Sequence, residues 1–259
     1  MESVVIIAAG EFPKKEYPRY LIQSATHIVC CDGNALANFL RASKSIFGYL
    51  RLPDAVVGDM DSLSDAQRKR YGDLLVEVAE QDDNDMTKSV RYVLETWPTV
   101  NEIHIVGAGG KREDHTIGNM GLLMEYIRLF GLTGVPCGSD CVDGFDSDEA
   151  SGSNGASGSD DASGSDLLPS GRRKTMLDAV SDYTTAFAIA DSCEIAVGEG
   201  RSISIFSPDN SLTLTSEGLE WQTSGVRFDN WWQATLNRAT SDTIRLTFSH
   251  PSLVLIILL

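Results

Sequence analysis

Apolar residues fall in short, evenly spaced runs along the first half of the chain. VVIIAAG (4–10), HIVCCDG (27–33), DAVVGD (54–59) and NEIHIVGAGG (101–110) each hold a few consecutive apolar residues and close on Gly or Asp. Runs this short, bounded by turn residues, read as buried strands. Between them the period changes. In DMTKSVRYVLETW, Met86, Val90, Val93, Leu94 and Trp97 share one helical face. Asn119 to Phe130 reads as a second helix, and LLVEVAE (74–80) as a further short strand. Strand and helix in alternation predict an α/β domain over residues 1–136, with a Rossmann-like, mostly parallel sheet flanked by helices.

After Pro169 the pattern becomes β-like. ISIFS, LTLTS, TIRLTFS and SLVLIILL are short runs rich in Ile, Leu and Thr. They predict a C-terminal all-β sandwich domain over 172–259. SLVLIILL is too short to span a bilayer and reads as a buried strand. Between Arg172 and Gly200 only CEIAVG looks strand-like. Residues 137–171 are dominated by Gly, Ser and Asp and hold eight acidic residues, with no Lys or Arg. Such a stretch cannot bury enough apolar surface to order itself and is expected to be a flexible acidic linker.

The formal net charge is -16. That argues against nucleic-acid and anionic-membrane partners. It leaves room for a small phosphate ligand, because a metal ion reverses the local charge. Five cysteines lack zinc-like spacing, and no basic region precedes the first apolar run. Both features suggest a reducing, cytoplasmic setting.

In open α/β sheets ligands bind beyond the carboxyl ends of the strands. Asp59 and Asp61 follow the third run, and in extended chain two such carboxylates share a face. They are either a solvated turn or oxygen ligands for a hard cation. In EQDDNDMTK, the acids are good helix caps, while Asp82, Asp85 and Lys88, spaced by three, would also point one way on a helix. Asp32, in CDGN, sits in a turn-like sequence that could equally carry a ligand. Cys30 and Cys31 read as core. GAGGKREDH (107–115) offers backbone amides with Arg112, Asp114 and His115. One sheet edge would thus gather Asp32, Asp59, Asp61, Asp85 and Asp114, with Lys88 and Arg112. That set suits metal-assisted phosphoryl chemistry.

The motifs, in order, resemble those of the thiamin pyrophosphokinase family. They are Asp32-Gly33-Asn34, Gly58-Asp59-Met60-Asp61-Ser62, Gln81-Asp82-Asp83-Asn84-Asp85 with Lys88, and Gly110-Lys111-Arg112-Glu113-Asp114-His115. Further on, Ser216 to Trp221 (SEGLEW) and ATLNRA (234–239), with Asn237, are similar to its C-terminal segments. The resemblance covers residues 1–130 and resumes near 202. It implies transfer of a diphosphate from the co-substrate ATP to the hydroxyl of thiamin. It implies Asp59, Asp61 and Asp85 as Mg²⁺ ligands, with Asp114 beside them in catalysis. Asp32, Gln81, Asp82, Lys88, Arg112 and His115 would meet ATP, and Ser216, Trp221 and Asn237 would meet thiamin. It also implies a homodimer with thiamin between subunits. The residues alone leave two rivals open: a metal-dependent nucleotide phosphohydrolase, and a non-catalytic nucleotide or thiamin sensor.

Overall fold

The computed structural model describes residues 2–135 and 175–259. Strands β1 (Ser3–Ile7), β2 (His27–Cys31), β3 (Ala55–Gly58), β4 (Leu75–Glu77) and β5 (Glu102–Val106) alternate with helices α1 (Glu16–Ser24), α2 (Asp32–Phe47), α3 (Asp65–Tyr71), α4 (Asp85–Thr96) and α5 (Glu113–Phe130). The five strands are parallel, in the order β5-β1-β2-β3-β4. Alternate side chains feed opposite faces. Val5, Ile7, Ile28, Cys30 and Val56 pack against Leu21 and Ile22 of α1 and Leu36 and Phe39 of α2. Val4, Ile6, Val29, Cys31, Val57 and Ile105 pack against Val90 and Val93 of α4 and Leu123 and Tyr126 of α5. With helices on both faces, β3 is buried throughout and β1, β2 and β5 are buried at every position but the first, which is why these strands read as unbroken apolar runs. Cys30 and Cys31 are core residues as expected. Burial pushes the Cys31 thiol up to about 12, which leaves it unreactive.

The sheet does not end at β5. Strand β6 (Met176–Val180) adds parallel to it, with His104 directly opposite Asp178 and their side chains joined at 2.7 Å. Strands β7 (Thr185–Ile189), β13 (Val254–Leu258), β9 (Ser202–Phe206) and β11 (Ala234–Arg238) continue it antiparallel. The result is a ten-stranded sheet ordered β11-β9-β13-β7-β6-β5-β1-β2-β3-β4. Strands β8 (Cys193–Ala196), β10 (Leu214–Glu217) and β12 (Thr243–Phe248) form a second sheet. Its Ile195, Leu214, Ile244 and Leu246 pack on Phe187, Ile203, Ile205 and Ile256 of the first. The expected α/β fold with a β-sandwich region is therefore present, and one sheet of that sandwich continues the parallel sheet.

The stretch before Gly200, which showed one strand-like run, holds β6, β7 and β8. MLDAV and TAFAI are five residues each and buried at every position but the first, and MLDAV places a buried Asp178 against His104, so neither alternates. SLVLIILL forms the interior strand β13. Helix α5 starts at Glu113, six residues before the expected Asn119, because its first turns are mostly polar. Trp231 and Trp232 lie outside any strand, half-exposed and edge-to-face at 5.8 Å. No helix among the described residues is long and apolar enough to cross a membrane. The acidic stretch 137–171, with its boundaries, lies outside the described residues.

Candidate active site

Two strand ends and the start of one helix converge. At the end of β2, Asp32 adopts a left-handed φ of 68° and opens α2 rather than a turn. Its Oδ1 accepts from the backbone N–H of Asn34 (2.7 Å) and Ala35 (3.0 Å), so the carboxylate caps the helix that it begins. Gly33 permits this entry. A Cβ there would sit 2.5 Å from Leu63 Cδ2, and its N–H donates to Ser62 Oγ at 2.9 Å. At the end of β3, Asp59 Oδ1 accepts from the Asp61 N–H at 3.0 Å, and Met60 between them takes a φ of 62°. That conformation costs about 1 kcal/mol. Full burial of the Met60 side chain, worth about 2 kcal/mol, offsets it.

Helix α4 brings in the third group. Asn84 is its N-cap, accepting from Thr87 N–H at 2.9 Å, and Met86, Val90 and Val93 pin the helix to the sheet. Asp85 in the first turn therefore faces the end of β3. A Cβ on Gly58 would lie 3.0 Å from Asp85 Oδ1, so only glycine leaves the carboxylate this room. Burial and then the Asp59 charge raise the Asp85 carboxyl above its ordinary range, against the opposing pull of Lys88 and the Asp59 N–H. Lys88 is almost fully buried, with Nζ 3.8 Å from Asp85 Oδ1. Asp32, Asp59, Asp85 and Lys88 thus form one group.

Other expected members lie apart. The helix begins at Asp85, so Asp82 is off it and exposed, and the spacing of three does not place it beside Asp85 and Lys88. Gln81 is exposed too, and Asp83 turns away to Arg91 at 2.5 Å. Asp61 is exposed beside Asp59. Arg112 and Asp114 pair with each other on the surface, and that hydrogen bond lowers the Asp114 carboxyl to about 2. His115 is exposed next to them. The Gly-rich loop is drawn toward β1, with Lys111 Nζ bonded to Ala9 O at 2.6 Å. A cavity of about 250 Å³ opens between this loop, Met120 of α5 and the 181–184 turn.

Ser216, Trp221 and Asn237 form a separate C-terminal group. Ser216 is buried and its Oγ accepts from Thr223 N–H at 3.2 Å. The Asn237 amide grips the Trp221 backbone from both ends, accepting from its N–H (3.2 Å) and donating to its C=O (2.7 Å). The indole itself is 56% exposed. Asn237 therefore positions Trp221, and its amide is already engaged.

Asn119 escaped the sequence reading. Its Nδ2 donates to Ala108 O at 2.7 Å and its Oδ1 meets Asn84 Nδ2 at 3.5 Å. Neither partner is near it in the chain, so no local pattern marks it.

Fold and site together define a doubly wound α/β protein, continued by an antiparallel β region, with an acidic group and a buried lysine at the carboxyl ends of its parallel strands. Two family models match it: thiamin pyrophosphokinase, catalytic domain, over residues 18–130, and thiamin pyrophosphokinase, substrate-binding domain, over 185–255. The chain belongs to the thiamin pyrophosphokinase family. Thiamine pyrophosphokinase 1 of rice (Oryza sativa subsp. japonica) is 33% identical over 116 residues, which are 39% of this chain and 44% of the rice protein. The chain thus aligns with less than half the length of that relative. The fold is similar to a thiamin pyrophosphokinase family protein from Enterococcus faecalis (TM-score 0.66, 17% identity, 100% of this chain and 98% of that one). It is also similar to thiamin pyrophosphokinase from Candida albicans (0.68, 14%, 99% and 88%).

Proposed function

We propose that this protein is an ATP-dependent thiamin diphosphokinase, moving the β,γ-diphosphate of ATP to the hydroxyl of thiamin and releasing AMP. Membership of the family supports the reaction. The observation that carries it is the meeting of Asp59 and Asp85 around Gly58, with the buried Lys88 behind them. Residues 1–136 would do the chemistry, and residues 172–259 would bind thiamin.

The donor set fits Mg²⁺. It is all oxygen, and the Asp59 charge that raises the Asp85 carboxyl is a repulsion a divalent cation relieves. Among the described residues no three His, Cys, Asp or Glu side chains cage a metal unaided. Asp59 and Asp85, with Asp61 as third carboxylate, would share it with phosphate oxygens and water. Bound there, Mg²⁺ would neutralise and align the phosphates. Lys88, almost fully buried, would supply a positive charge from a low-dielectric surrounding, where such charges act more strongly on developing negative charge than in water. Asp32, Gln81, Asp82, Arg112, Asp114 and His115 would line the approach for ATP.

Trp221, held by Asn237, presents an exposed aromatic face on which a flat cationic ring stacks well. It lies beside β11, eight ladder steps from β3 in the sheet order. At about 4.8 Å per step this is roughly 38 Å. One chain cannot bring Trp221 and Asp59 onto one thiamin, which supports a homodimer whose sites are shared between copies.

The test is product analysis. Thiamin, ATP and Mg²⁺ should give AMP and thiamin diphosphate in equal amounts. Chelation of the metal, Asp59→Asn or Asp85→Asn should stop it. AMP released without thiamin would favour nucleotide hydrolysis instead.

A further inference from the structure

Two parts of the proposed ATP site come from distant stretches of chain: the N-terminus of α4, with Asp85 and Lys88, and the Gly-rich loop before α5. One run of hydrogen bonds joins them. Ala108 O accepts from Asn119 Nδ2 (2.7 Å), Asn119 Oδ1 meets Asn84 Nδ2 (3.5 Å), and Asn84 Oδ1 accepts from Thr87 N–H (2.9 Å) and Oγ1 (3.0 Å). The Thr87 hydroxyl, its proton so used, accepts from Tyr126 OH at 2.9 Å. Tyr126, on α5, is fully buried in the core.

The run has one self-consistent polarity. The Thr87 N–H obliges Asn84 to present oxygen to the helix, which turns its amide nitrogen toward Asn119. The Ala108 carbonyl obliges Asn119 to present nitrogen to the loop, which turns its oxygen toward Asn84. Each end independently sets the orientation that makes the longer middle contact favourable. Asn84 directly precedes Asp85, and Thr87 directly precedes Lys88.

We infer that Asn84 and Asn119 are positioning residues, a bridge that fixes the carboxylate and amine of α4 relative to the Gly-rich loop. The inference rests on the proposed diphosphotransfer for its kinetic consequence. Neither amide touches the reacting groups. Their effect is on alignment, where a displacement of an ångström is costly in rate.

Asn84→Ser separates bridge from cap. Serine caps a helix about as well as asparagine, so thermal stability should hold, but it has no amide to reach Asn119. Asn84→Ser and Asn119→Ala should each lower kcat/KM for ATP by roughly threefold to thirtyfold. The double variant should be no worse than the poorer single one. Wild-type kcat/KM in Asn84→Ser, or losses that multiply in the double variant, would overturn the bridge. A wild-type protein that forms no thiamin diphosphate would overturn the proposed reaction. The bridge is then judged by amide hydrogen exchange over residues 107–110. Exchange there should be several-fold faster in Asn84→Ser, and unchanged exchange would overturn it.

Discussion

If sites are shared between copies, two defective chains should rescue each other. Asp59→Asn removes the carboxylate proposed to bind metal, and Trp221→Ala removes the aromatic face proposed to stack on thiamin, roughly 38 Å away in the same chain. The stack is worth up to about 2 kcal/mol, or about thirtyfold in thiamin affinity. Each variant alone is therefore poor at thiamin concentrations below KM. Coexpressed with different tags and purified through both, the mixed dimer carries one site with both defects and one with neither. It should show about half the wild-type turnover. A site built within one chain would leave every site with one defect, and the mixed dimer would do no better than the average of its parents. That result, or no recovery of a doubly tagged species, would refute the shared site.

Asp85→Asn should abolish transfer yet raise the melting temperature of the metal-free protein at pH 7. The folded Asp85 carboxyl is raised, mainly by burial. Its contribution to stability is present when it is protonated, below the ordinary carboxylate range. That contribution is lost as pH rises through the raised value. A lowered melting temperature in differential scanning fluorimetry would contradict this. Gly58→Ala puts a Cβ 3.0 Å from Asp85 Oδ1 and should cost at least tenfold in kcat with the fold intact by circular dichroism. Unchanged kcat would mean that Asp85 is not held where the chemistry needs it. Asp209 ties two loops of the sandwich. It accepts from Ser211, His250 (2.9 Å) and Ser252 (2.8 Å), and the Ser211 bond leads in holding its carboxyl well below the usual range. This stability is present above the ordinary carboxylate value and is lost as pH falls through the lowered one. Asp209→Ala should cost about 2 kcal/mol at pH 7, with the gap from wild type closing in acid, as read by urea denaturation.

The parallel half was legible because strands buried on both faces and one-sided helices write their periods into the sequence. The carboxyl ends of those strands then marked Asp32 and Asp59, and the start of the helix after β4 marked Asp85. That Asp82 does not join Asp85 was not legible, since it turns on whether Asn84 or a neighbour caps α4. One residue of helix boundary separates Asp85 from Asn84, and two separate it from Asp83, and both of those do other work. The union of the two halves was hidden as well. It rests on β5 pairing with β6, separated by about seventy residues in sequence. The Asn84–Asn119 bridge and the grip of Asn237 on Trp221 are long-range in the same way.

The central claim is transfer of a diphosphate in one step. The most direct measurement follows ATP labelled separately at its β- and γ-phosphorus, incubated with thiamin and Mg²⁺. Both labels should arrive together in thiamin diphosphate, with AMP formed in equal amount and neither product formed by Asp59→Asn. Label appearing in thiamin monophosphate with ADP left behind would contradict the account.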